Sequence, residues 1–399
     1  MSATATTIAP QPAWNRNPIR KRRRHEENKR EKTQQNASLS EANARTALVL
    51  GGGAPNMALM AGAIAAFAER GVTFDVVSTS GAGSLAGLLW LAPKGLPALE
   101  ALRSVTTMSV TDQIYQYLPV NFKVFQKPGL LADFWRGMLT GNPLFSVVPR
   151  EYQKSPLYAL YADLMALCAA AWCPSGLDWN SWGLCAPLPF IEHIIDFNKI
   201  KRINPYFYLN AYNISKEKIV DFTKETISPD HFRAALAFPF IYGPHRLDGD
   251  LYYEGAVVDC LNFKDLTEKH TGLETIVVVD VLGTDALIRK PRNIYDSWIL
   301  SMIIPLVKTA EDNLELFALK YNKGWERSRG AKADILKIVF DIPDEHLVEV
   351  LDWTTSNATR LFDIGYQSGL TFIDKHRNKL NVAPAPLSQN ASGHQAAKA

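Results

Sequence analysis

"DVVSTSGAGSLAGLLW", residues 75–90, changes character in its middle. Phe74 to Val77 reads as a buried strand, and Leu85 to Trp90 reads as an apolar helix. Between them every side chain is small: Ser78, Thr79, Ser80, Gly81, Ala82, Gly83 and Ser84. A chain that turns sharply from strand to helix pushes one side chain out above the carboxyl edge of a sheet. Bulky residues two before and two after that side chain would clash, which is the steric logic of a nucleophile elbow. With Ser80 at the tip those positions are Ser78 and Ala82, and the helix beginning near Gly81 aims its free N–H groups and positive dipole end at the serine. The same residues also suit a plain tight turn, so both readings stay open on this stretch alone.

The surroundings give the fold class. Upstream, "TALVLGGG" holds a short buried strand at Ala47–Leu50, followed by a helix over 57–70 with large apolar residues among many alanines. Two strands, each followed by a helix, open a parallel α/β fold. Residues 105–200 break the alternation. They are rich in aromatics and proline and read as an inserted, mostly helical cap. Strands return at 206–212 and 218–222, with a short helix over 230–238. "TIVVVDVL", 275–282, is almost continuously β-branched and reads as a central parallel strand. A long helical stretch over 294–326, a strand over 333–340 and a closing helix over 354–376 complete the pattern.

Of the 399 residues 47% are hydrophobic and 21% charged, as expected of a globular chain with a large core. Residues 1–45 carry ten Lys or Arg and only four Asp or Glu, although the whole chain has a formal net charge of +3. With no large apolar residues to build a core, 1–45 is expected to be a disordered basic tail. It is not a signal peptide, because no secretory apolar run follows the charges. Such a tail can touch anionic lipid headgroups or nucleic acid, or stay solvated with no partner. Peripheral membrane contact is carried forward, and no nucleic-acid partner is expected. No stretch has the roughly 20 clean apolar residues of a membrane span. In the nearest, 156–174, Asp163 interrupts the run. Cys168, Cys173, Cys185 and Cys260 lack paired metal-ligand spacing and read as free thiols in a cytoplasmic protein, with no metal and no cofactor. The chain is expected to fray into a second disordered tail over 381–399.

Two further motifs carry chemistry. Gly51, Gly52 and Gly53 follow a strand, so their backbone N–H groups can form a nest for a phosphate or an oxyanion. The lysine of a phosphate-binding P-loop and the spacing of a dinucleotide fingerprint are both missing. "DGDLYYEGAVVD", 248–259, places Glu254 before Gly255-Ala256 at a strand end, with Asp248 and Asp259 on either side. An acid there can take a proton from a hydroxyl.

Together and in this order, the three motifs resemble the patatin-like phospholipase family. "AALAFPF", 234–240, is similar to the family's small-residue helix that ends in proline. The resemblance covers roughly 46–285, with a gap across the cap. It implies a three-layer α/β fold over 46–380, with a central, mostly parallel sheet flanked by helices and the cap inserted at 105–200. It implies a serine acyl hydrolase of lipid esters, working through a Ser–acid dyad and an acyl-enzyme without histidine. Ser80 corresponds to the family's serine and Glu254 to its acid. Gly51, Gly52, Gly53 and Gly81 correspond to its oxyanion hole. His231, His245 and His346 lie in no triad context. Ser78 and Ala82 replace the glycines of the family's elbow, and Glu254 stands where the family has Asp. The longer acid leaves three alternatives: a displaced backbone that suits glutamate, which is the expectation; another acid; or a degenerate member that binds lipid or regulates.

Overall fold

The computed structural model describes residues 44–54, 56–140, 155–176, 194–239, 241–282, 290–328, 332–346 and 352–382. The chain divides into two units, 1–43 and 44–399. The basic tail lies outside the described residues except for its last two positions. So do Cys185 and all but the first two residues of the C-terminal tail.

The core of the main sheet is parallel. Strand β1 (Thr46–Leu50) lies between β3 (Val76–Thr79) and β8 (Thr275–Val279), parallel to both. All three are buried along their whole length, because helices cover both faces of the sheet. The β-branched run of β8 meets that requirement. Strand β4 (Tyr206–Asn213) continues the parallel order beyond β3, and β9 (Asp334–Lys337) continues it beyond β8. Past β4 the sheet becomes antiparallel through β5 (Lys218–Thr223), β7 (Asp250–Glu254) and β6 (His245–Leu247). A separate two-stranded sheet pairs β2 (Val72–Thr73) with β10 (Asn381–Val382). The architecture is thus a mixed, mostly parallel sheet between helical layers.

Helix α1 (Met57–Glu69) follows the glycine loop, and α2 (Ala82–Leu91) follows β3. The alanines of α1 let another helix approach closely. That helix is α7 (Thr355–His376). A Cβ on Gly62 would strike the Phe362 carbonyl, and one on Gly365 would strike the Leu59 carbonyl, so the two backbones touch. Further along, α3 (Leu130–Thr140) and α4 (Pro156–Trp172) are joined by the Trp135 indole N–H, which donates to the Ala169 carbonyl at 3.0 Å. Helix α5 (Pro229–Ala235) sits beside β4, β6 and β7. Helix α6 (Ile294–Ser328) runs through Pro305.

Asp163, which interrupts the apolar run of α4, is fully buried and has a partner. Its carboxylate takes the Lys123 ammonium at 2.6 Å and the Thr111 backbone N–H at 2.7 Å. Lys123 also donates to the carbonyls of Thr107 and Ser109. This buried pair ties α4 to the segment that leads out of the sheet.

Candidate active site

The site forms where β4 changes neighbours along one edge. Strand β3 pairs with β4 from Tyr206 to Leu209, and β7 pairs with it from Ala211 to Asn213. Strand β5 overlaps both stretches and therefore occupies the opposite edge. So β3 leaves β4 at Thr79, opposite Leu209, and β7 arrives at Glu254, opposite Ala211. Only Asn210 separates the two. The turn after β3 and the carboxyl at the end of β7 are forced together by this register.

Ser80 is not the corner of that turn. Its backbone N–H still donates to the Leu50 carbonyl at 3.0 Å, so the chain remains on β1 there. Its side chain is fully buried. The hydroxyl is 2.8 Å from Asn210 Oδ1 and 3.0 Å from the Asp259 carbonyl, and donates its one proton to these acceptors. Asn210 Nδ2 donates to the same carbonyl at 2.9 Å, which leaves its Oδ1 for the serine. No hydrogen bond joins Ser80 to Glu254 among the described residues.

The corner is Gly81, the residue before α2, at φ 47° and ψ −126°. Glycine adopts this mirror-β conformation without penalty, whereas a side chain there is strained. A Cβ built on Gly81 would fall on Glu254 Oε1 and lie 2.8 Å from Glu254 Cδ. The glutamate carboxyl therefore fills the space above the corner. Gly83, two residues on, must also lack a side chain, because a Cβ there would strike the Leu50 carbonyl and come within 2.6 Å of the Gly51 carbonyl. The small-residue rule of the turn is thus met after Gly81, while two residues before it stands Thr79, whose hydroxyl donates to the Tyr208 carbonyl at 2.8 Å. The signal in the sequence was Gly83, which is strictly required, whereas Ser78 and Ala82 both carry a Cβ. Gly255 is a similar case: a Cβ would lie 2.5 Å from Asn210 Cγ.

Glu254 is 8% exposed. Neither a cation nor a hydrogen-bond donor reaches its carboxyl among the described residues, and burial pushes its pKa up to about 8. The neighbouring acids have other tasks. Asp248 and Gly249, at φ 51° and 89°, form the two-residue hairpin turn between β6 and β7. The Asp259 carboxylate accepts the Asn262 N–H at 2.8 Å and holds the next turn, its pKa raised by burial.

The glycine loop also departs from expectation. Gly51 N–H donates to the Val279 carbonyl and Gly52 N–H to the Cys260 carbonyl, each at 3.1 Å. Both are committed to backbone and neither is free for an oxyanion. Gly52 instead gives room: a Cβ there would be 2.7 Å from Ala256 Cβ and 3.7 Å from Glu254 Oε1. The N–H groups of Gly53, at φ 124°, of Gly81 and of Ala82, the first residue of α2, have no acceptor among the described residues. Cys260 is buried against Gly52, and burial pushes its thiol pKa up. His231 bonds Ser228 and packs on Phe222, and His245 faces Asp230.

A glycine loop after β1, a strand–helix corner after β3 and an acid–Gly–Ala turn after β7, meeting at one edge of a parallel sheet, define an α/β acyl hydrolase scaffold. The model of the patatin-like phospholipases matches residues 48–267, just over half of the chain, and the protein belongs to that family. Lipid acyl esters are the substrate class this membership implies. Among solved structures the chain is similar to VipD from Legionella pneumophila, at 15% identity and a TM-score of 0.37, over 84% of this chain and 67% of that one. No curated protein matches the sequence closely enough to count as a relative.

Proposed function

We propose that the protein hydrolyses lipid acyl esters at the corner formed by Gly81 and Glu254, beside Gly52 of the glycine loop. One observation carries this: a buried carboxyl with no partner among the described residues sits where the turn would otherwise project its side chain, at the N-terminus of a helix. A carboxyl whose pKa lies near working pH is suited to moving protons. Helices α3 and α4 offer an apolar surface. Leu130, Leu131, Phe134 and Met138 of α3 are 88%, 69%, 66% and 52% exposed, and Trp172 of α4 is 79% exposed. Exposed apolar residues in such density suit contact with lipid. No helix among the described residues is long and apolar enough to cross a membrane, so the substrate would be met at a bilayer's periphery.

A second role, lipid binding without turnover, is favoured by the locked Ser80 hydroxyl and the committed N–H groups of Gly51 and Gly52. Hydrolysis of p-nitrophenyl esters of graded chain length separates the two. Turnover above a heat-denatured control, rising with acyl length, is the expected result. Saturable fatty-acid binding without any turnover would establish the binding role instead.

A further inference from the structure

We propose that the protein has exchanged a serine nucleophile for a carboxyl-assisted water, with Glu254 as its catalytic residue and no acyl-enzyme. The inference rests on the hydrolase function proposed above and deepens it.

The geometry at the corner is that of a compensated pair. Gly81 leaves a space of side-chain size, and Glu254, one methylene longer than aspartate, fills it with a carboxyl oxygen. A serine at Gly81 would collide with this glutamate, and an aspartate at 254 would leave the space empty. Gly81 is favoured twice, by its positive φ and by the glutamate above it. The usual objection to a longer acid, that it misplaces the carboxylate, disappears if the carboxylate is meant to stand at the corner itself.

The chemistry balances without a covalent intermediate. The Glu254 carboxylate takes one proton from a water molecule, whose oxygen forms a bond to the acyl carbon. The carbonyl π pair moves to its oxygen, and the N–H group of Ala82, next to the corner at the start of α2, is the donor at hand for that charge. The intermediate then collapses, the acyl C–O bond breaks, and the proton held by Glu254 passes to the departing alkoxide. One ester and one water become one acid and one alcohol. Among the described residues the Cys260 thiol feels the charge of this carboxyl, and a thiol, neutral or negative, cannot hold it deprotonated.

The test uses the full chain and a fluorophosphonate probe, with adducts read as intact mass and ester turnover measured in parallel. Wild type should turn over esters and take up no probe. Glu254→Gln should lose activity at least about a hundredfold, the low end for a general base. The double substitution Gly81→Ser with Glu254→Asp should gain a single adduct, because it places a hydroxyl at the corner and withdraws the acid. Melting curves show that each variant is folded, and Gly81→Ser alone is expected to melt early. An active wild type labelled on Ser80, or an active Glu254→Gln, would overturn the inference and leave hydrolase function standing. A folded double variant that takes up no probe would overturn the exchange. A wild type without ester turnover would overturn both.

Discussion

Glu254 is the residue on which pH acts. Its ordinary pKa of 4.5 applies to the unfolded chain, and burial raises it to about 8 in the fold. Between these values the folded state holds a proton that the unfolded state has lost. Stability from this group is complete below the lower value and falls as pH rises through the upper one, by about 1.4 kcal/mol per pH unit. Glu254→Gln keeps the shape and has no such proton. The melting temperature of wild type should therefore drop relative to Glu254→Gln between about pH 5 and 8. Asp221, also raised by burial to about 7, titrates in both proteins and cancels. Parallel pH curves for the two would contradict a buried carboxyl at 254. Turnover should show the opposite slope, rising with pH as the carboxylate forms, because a base works only when deprotonated. A flat profile from pH 6 to 9 would remove Glu254 as the base. The identity of the corner was only partly legible in the sequence. The run from Ser78 to Ser84 announces a tight turn, but several small residues in a row fit it in more than one register. The choice of Gly81 over Ser80 depends on which N–H last pairs with β1, a long-range fact.

At the scale of elements, a buried ion pair anchors α4, in the segment expected to be a cap. Burial lowers the Lys123 pKa and Asp163 opposes the shift. Removing one partner from such a pair costs about 3–5 kcal/mol, because the other charge is left buried alone. Asp163→Asn should therefore lose stability of that order in urea unfolding. Asp163→Asn combined with Lys123→Met should recover most of it. An Asp163→Asn variant as stable as wild type would show that α4 is anchored elsewhere. In the sequence, Asp163 looks like a flaw in an apolar helix. Its partner lies 40 residues earlier in a stretch without a helical pattern, and no local rule connects them. The elements of the sheet were easier to find. The apolar runs at 46–50 and 275–279 match β1 and β8, because a parallel strand covered on both faces admits little else. The antiparallel β6–β7 hairpin was half visible, through the Asp248-Gly249 turn.

For the whole molecule, the order β7-β4-β3-β1-β8 brings residues from opposite ends of the matched region to one edge. The family motifs implied this convergence, although their spacing along the chain could not give the distances. The exposed face of α3 leads to a prediction about where the protein works. Leu131→Asp with Phe134→Asp should reduce turnover of vesicle-borne esters severalfold and leave short soluble esters unaffected. Equal loss on both substrates would mean that the face supports the fold rather than lipid contact. Residues 1–43 form a unit apart from 44–399, so their removal should leave the melting temperature unchanged. A tail that recruits anionic lipid should lose that binding on deletion, most visibly at low salt. A drop in melting temperature on deletion would make the tail part of the fold.

The most direct test compares kcat/KM of Ser80→Ala and Glu254→Gln on the best p-nitrophenyl ester. Ser80 only donates to Asn210 and to a backbone carbonyl, so Ser80→Ala should stay within about threefold of wild type while losing about 1–3 kcal/mol of stability. Glu254→Gln should fall by about a hundredfold or more without losing its fold. The reverse ranking, with Ser80→Ala inactive and Glu254→Gln nearly unchanged, would contradict the assignment of the corner to Gly81 and Glu254.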